Sequence, residues 1–280
     1  MKGKRIKKIF SLVILPLGLL VANLYIVFPI FSGRITSWPG SIETAYIAVA
    51  RFIKEFFPHI SWNPYWYNGY PFHTFYNPIF PYLEAIISVL TSLSIPKVYR
   101  IMTGLAYSLA PVSFYFLVLT LSQSWLAALP ASLAFSFFPS LVYQFTPYTY
   151  EVGEKLNFPP WRLNILSLYG EGPHTFSLVF TPIALIFSLK ALRKKDFKNI
   201  LLAAIFISMV ALTNMIGIMS FTLLFFFLLF VESRTRGKTS GIFRVAAKII
   251  LLTFGLIAFW YNLSFIKLSL SFFKSINSLL

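Results

Sequence analysis

The sequence predicts an all-α protein that crosses a lipid bilayer as a polytopic bundle of about seven to nine helices. Three observations carry this. Of the 280 residues, 58% are hydrophobic and only 11% are charged, whereas a soluble domain carries about 25% charged residues. Apolar runs recur from Phe10 to Phe273, several close to the roughly 20 residues that cross a bilayer as a helix. The strict alternation of a membrane β-barrel is missing, and an apolar run in lipid must satisfy its own backbone, so helices follow. One transmembrane domain over residues 1–280 is expected. The formal net charge of +16 does not point to nucleic acid. The Lys and Arg residues flank the apolar runs, where they orient a membrane protein. With no Cys in the chain, disulfides and thiolate metal sites are excluded.

The first run, 10–31, is too long for a secretory h-region and lacks a small-residue cleavage site, so it reads as a retained span. Lys2, Lys4, Arg5, Lys7 and Lys8 precede it with no acid among them, which places the N-terminus in the cytoplasm of a cell-membrane protein. The same rule puts 190–198 and 234–248 on that side. Between them, 199–231 is long enough to cross twice as short helices, with Thr213-Asn214 as the turn. The span 174–189 then runs inward, and the loops 32–77 and 146–173 lie outside. Three apolar segments, 78–95, 99–121 and 125–145, separate those loops, and an odd number of crossings cannot join them. Lys97 and Arg100 favour a cytoplasmic turn after the first segment. The segment with Pro130 and Pro139 is the expected exception, either re-entrant or a broken pair of short helices. The last span, 249–266, ends outside.

The outer face gathers what chemistry the chain has. Of eight carboxylates, five (Glu43, Glu55, Glu151, Glu154, Glu171) fall in the two outer loops, and all three His (His59, His73, His174) lie in or beside them. Loops hold polar residues anyway, yet the cytoplasmic ones hold only Asp196 and Glu232. Segment 43–57 reads as an amphipathic surface helix, with Ile47, Ala50, Ile53 and Phe57 on one stripe and Arg51, Lys54 and Glu55 opposite. Segment 62–76 is dense in aromatics, and Pro64, Gly69 and Pro71 forbid a continuous helix. Trp62, Trp66, Tyr67 and Tyr70 fit an interfacial belt. Sugar stacking on the same flat faces, with Asn63 and Asn68 as hydrogen-bonding partners, is the alternative, and composition alone favours the belt. Glu84 lies inside an apolar segment, either as a functional carboxylate or at the interface.

A basic N-terminus, one span, and an outer loop with an early acid and a surface helix together resemble the lipid-linked-sugar glycosyltransferases of the GT-C superfamily. The stretch WNPYWYNGYPFHTFYNPIFPYLEAI resembles one branch, the multispan "6-pyruvoyl-tetrahydropterin synthase-related domain, membrane protein" family, at Trp62, Pro64, Trp66, Gly69, Pro71, Tyr76 and Pro78. The run 169–191 resembles that family's later junction between outer loop and span. The resemblance covers roughly residues 10–230. It implies a GT-C-like membrane module that transfers a sugar from a polyprenyl-phosphate carrier at the outer face. Glu43 would be the general base on the acceptor hydroxyl. It implies that Lys155, Arg162 and His174 bind phosphate, and that Trp62, Trp66, Tyr67, Asn68, Tyr70 and His73 contact the saccharide. Glu151 and Glu154 match acids that some members use for a divalent metal. Membrane lipid and a lipid-linked saccharide are the implied partners. Two departures, Tyr46 where the family pattern has His and a chain shorter than its relatives, favour a second reading. On that reading the chain is a non-catalytic module that binds lipid-linked saccharide or joins a protein partner in the membrane.

Overall fold

The structure is a computed structural model, and it describes residues 2–33, 41–65, 68–74, 77–138, 160–236, 239–268 and 271. Its elements in order are α1 (Lys2–Ile9), a π-helical segment (Phe10–Ile14), α2 (Leu15–Ser32), α3 (Glu43–Phe56), β1 (Trp62–Asn63) and β2 (Tyr70–Pro71). There follow a 3-10 turn (Phe72–Thr74), α4 (Ile79–Thr91), α5 (Ile95–Ser122), α6 (Trp125–Phe137), α7 (Trp161–Ser167) and α8 (Gly172–Lys194). The chain closes with α9 (Phe197–Thr213), α10 (Met215–Arg236) and α11 (Thr239–Ile257). Among the described residues five helices are long and apolar enough to cross a membrane, and α4, α6 and α9 are shorter apolar helices. The expected all-α, multi-pass membrane architecture is therefore present. A 13-residue helix such as α4 or α6 rises only about 20 Å, short of a hydrocarbon core of about 30 Å. Among the described residues the one β-element is a two-residue antiparallel ladder pairing Trp62 with Pro71 and Asn63 with Tyr70. It forms where Pro64 and Gly69 interrupt the aromatic loop.

The chain folds as two compact units: Met1–Ile47 with Leu93–Ile183, and Ala48–Ser92 with Ala184–Leu280. In the first unit α5 runs antiparallel to α2. At one end Tyr115 Oη donates to the Ser11 carbonyl at 2.8 Å; at the other, Lys97 Nζ bonds the Phe31 carbonyl. Close approach at that second end needs Gly104, because a Cβ there would lie 2.6 Å from the Phe31 ring. Helix α6 turns back alongside α2, with Trp125 edge-on to Phe10 at 5.6 Å and Ser136 accepting from Asn23 Nδ2 at 3.1 Å.

This geometry corrects the expected topology. Lys97 and Arg100 lie beside Phe31 and Gly33, where the first span ends, and not at the opposite face. The apolar segment before them forms the short helix α4, while α5 runs antiparallel to α2 and α6 turns back alongside it.

In the second unit α3 buries Val49, Ala50, Phe52 and Ile53 and exposes Arg51, Lys54 and Glu55, as its 3.6-residue period requires. Phe57 departs from the expected stripe: it lies past the helix end and is 68% exposed. The α3 stripe meets Phe72, Ala85, Leu212, Ile257 and Trp260 in one core. The predicted break at Thr213-Asn214 separates α9 from α10, and Asn214 Oδ1 caps the new helix by accepting from Gly217 N at 2.9 Å. Asp196 caps α9 in the same way, accepting from Asn199 N at 2.8 Å. The last long helix begins at Thr239 rather than near residue 249. Arg244 and Lys248 stay on its exposed side while Ile242, Val245, Ala246 and Ile249 are buried.

Candidate functional site

Two segments far apart in sequence meet in the first unit. Glu43 opens α3 as its first residue, where the helix dipole favours an acid. Its side chain is completely buried. Arg100, 7% exposed on the second turn of α5, places Nη2 2.8 Å from Glu43 Oε2 in a hydrogen bond and 2.7 Å from Oε1 as an ion pair. The second loop is laid on the first. Ile42 N donates to the Tyr169 carbonyl at 3.0 Å. Gly170, at φ +73°, sits so close that a Cβ would lie 2.4 Å from Ser41 Oγ and 2.5 Å from Glu43 N. Only glycine combines that dihedral with that contact.

Tyr99 pins the junction from α5: its hydroxyl donates to the Gly170 carbonyl at 2.7 Å and accepts from Gly172 N at 3.2 Å. Between these bonds stands Glu171, whose carboxylate is hydrogen-bonded to Tyr46. Burial raises its pKa above the ordinary 4.5, and the Tyr46 bond offsets part of that rise. His174 is half-buried in the first turn of α8. The site thus gathers Glu43, Tyr46 and Arg100 with Glu171. Tyr46, which stands where the resemblance expects His, forms the link to the second acid.

Arg100, Tyr99, Tyr46 and Gly170 were not singled out from the sequence as site residues. The available signal was Arg100 itself, a guanidinium inside an apolar run, where a charge needs a partner. Arg162, on α7, lies deeper along the same α5 face. Its Nη2 donates to the Tyr107 carbonyl at 2.7 Å. Tyr107 is seven residues past Arg100, so both project from one stripe of α5, about 10 Å apart along its axis.

The remaining expected contact residues lie in the second unit or outside the described residues. Trp62 is exposed, its indole stacked under Gly69. Asn68 is exposed in the turn at φ 60°. Tyr70 is 4% exposed and accepts from Asn63 Nδ2 at 3.1 Å. His73 stands edge-on to Trp260 at 5.4 Å. It lines a cleft of about 590 Å3 with Tyr82, Leu212, Phe259 and Asn262. Trp66, Tyr67, Glu151, Glu154 and Lys155 lie outside the described residues. Among the described residues no three His, Asp or Glu side chains are grouped as metal ligands. Glu84 is completely buried on α4.

Comparison with known protein families, characterised proteins and solved structures gives no match.

Proposed function

We propose that this chain is a GT-C-like glycosyltransferase of the cell membrane, moving a sugar from a polyprenyl-phosphate carrier to a hydroxyl acceptor where the Glu43 and Glu171 loops meet. The observation that supports it is the seating of Gly170 on Glu43, which joins the early acid to the later loop. On this reading the N-terminus is cytoplasmic and the Glu43 end lies outside. Glu43 takes the proton of the acceptor hydroxyl as its oxygen attacks the anomeric carbon. The bond from that carbon to the carrier phosphate breaks, and the phosphate leaves with the electron pair. Arg100 holds the Glu43 carboxylate in place until the acceptor arrives. The partners are then membrane lipid and a lipid-linked saccharide.

One observation favours the second reading, a non-catalytic module that binds lipid-linked saccharide or joins a glycosyltransferase. A base must be reached by its substrate, and Glu43 is closed off by Arg100. Transfer from a radiolabelled polyprenyl-phosphate sugar in reconstituted membranes separates the two. Glycosyl transfer by the wild type that falls about a hundredfold or more in Glu43→Gln supports catalysis, with folding checked by thermal unfolding. Donor binding without turnover, unchanged in Glu43→Gln, supports the module and overturns the enzyme.

A further inference from the structure

An apolar trough of about 340 Å3 runs between α3 and α4, and a cation is pinned at its edge. Ile53 and Phe57 wall it on one side, and Ile86, Val89 and Leu90 on the other. Phe57, Ile86, Val89 and Leu90 are 50–78% exposed, so the chain's own core does not cover them. Lys54 lines the same trough, and its Nζ donates to Ser88 Oγ at 2.9 Å. Ser88 is completely buried on α4. That bond holds an otherwise flexible ammonium in place and leaves two of its three N–H groups for another acceptor. Among the described residues no carboxylate forms an ion pair with Lys54. Glu55 is turned away from it by about 100° on the helix. Arg51, one turn before Lys54 and also exposed, shares its side of α3.

We propose that the α3–α4 trough is a selective site for an anionic phospholipid, with one acyl chain between its walls and the phosphate on Lys54. The two ends of such a lipid match the two parts of the site. An alkyl chain covers the exposed apolar walls, which lowers their free energy in proportion to the area covered. The phosphate supplies acceptor oxygens and the negative charge that Lys54 lacks, in a charge-assisted bond. An amphipathic helix that carries its cations opposite a packed apolar stripe sits at headgroup depth, the level of phospholipid phosphates. A zwitterionic lipid fits the walls equally well, but it brings its own ammonium beside Lys54 and Arg51, and like charges repel. The site goes beyond the transfer reading: its lipid carries no sugar, and neither Glu43 nor a reaction is involved.

The test places the full chain in phosphatidylcholine nanodiscs doped with increasing phosphatidylglycerol and free of polyprenyl lipid. Thermal unfolding reads the stability, and native mass spectrometry counts the lipids kept on release. One phosphatidylglycerol retained per chain and a saturable rise in Tm of several degrees are expected. Lys54→Met should weaken the half-saturation point about tenfold or more, the loss of one charge-assisted bond. Lys54→Arg should keep the response, and Glu55→Gln should not weaken it. Val89→Trp fills the trough and leaves the cation, so it should also lose the retained lipid. If Val89→Trp does not fold, Lys54→Met decides alone. Equal retention of phosphatidylcholine, or a phosphatidylglycerol response unchanged in Lys54→Met, means ordinary annular lipid and overturns the site. Sugar transfer, present or absent, moves none of these readouts.

Discussion

Arg100 Nη2 reaches both carboxylate oxygens of Glu43, at 2.7 and 2.8 Å, with neither side chain more than 8% exposed. The pair ties the first turn of α3 to α5. Its net contribution to stability is small, because desolvating two charges offsets most of their attraction. Breaking it from one side is different. Glu43→Gln or Arg100→Met alone should each destabilise by about 3–5 kcal/mol, because the surviving charge is left buried and unpaired. The double variant Glu43→Gln/Arg100→Met should recover most of that loss. Unfolding of all four proteins in one lipid composition measures the coupling. Additive losses would show that the two side chains do not interact as described.

Gly170 makes a sharper test of the loop junction. Its left-handed backbone alone should make Gly170→Ala unfavourable by about 1–2 kcal/mol. The new Cβ would also meet the Glu43 backbone nitrogen 2.5 Å away, and backbone cannot yield as a flexible side chain can. Gly255, in α11, has no atom within 4 Å of a built Cβ, so Gly255→Ala should be neutral or stabilising by up to about 1 kcal/mol. Thermal unfolding of the two variants should separate them clearly. Equal behaviour would remove the case that the second loop presses on Glu43.

The stretches with a strong local signal were legible in the sequence. The α3 stripe follows from its period, and the break at Asn214 follows from a polar pair inside a run too long for one span. The loop of Trp62 to Thr74 is turn-rich because Pro64, Gly69 and Pro71 leave no alternative. The error lay at Lys97 and Arg100. The positive-inside rule treats cations near a span end as markers of the cytoplasmic side, and it has no means of seeing that Arg100 is neutralised by Glu43, 57 residues earlier. That tertiary pairing outweighed the local rule. The meeting of Glu43 with Gly170 was equally invisible, because the small residue that permits a close approach looks like any loop glycine.

Sidedness follows from the same correction and can be measured directly. The chain contains no Cys, so single cysteines report cleanly. Cysteines at Ser41 and Ser94 should be labelled by an impermeant maleimide from the same side of intact cells, and one at Gln123 from the other. Labelling of Ser41 and Ser94 from opposite sides would restore the turn first expected at Lys97 and contradict the Arg100–Glu43 contact.

Glu171 should leave a signature in the pH dependence of stability. Burial holds its pKa above 4.5 in the folded protein, with the Tyr46 bond only partly opposing. The folded state therefore binds this proton more tightly than the unfolded chain does. The associated stability is fully present below about 4.5 and fades as pH rises through the folded value. Wild-type stability should accordingly fall, relative to Glu171→Gln, between acidic and neutral pH, since glutamine keeps the shape and cannot ionise. Tyr46→Phe should steepen the difference, because losing the hydrogen bond to the carboxylate raises the folded pKa further. Unfolding midpoints from pH 4.5 to pH 8 supply the comparison. A wild type that gains on Glu171→Gln as pH rises would mean that the carboxylate is stabilised as an anion, and the buried, proton-holding environment described for Glu171 would be wrong.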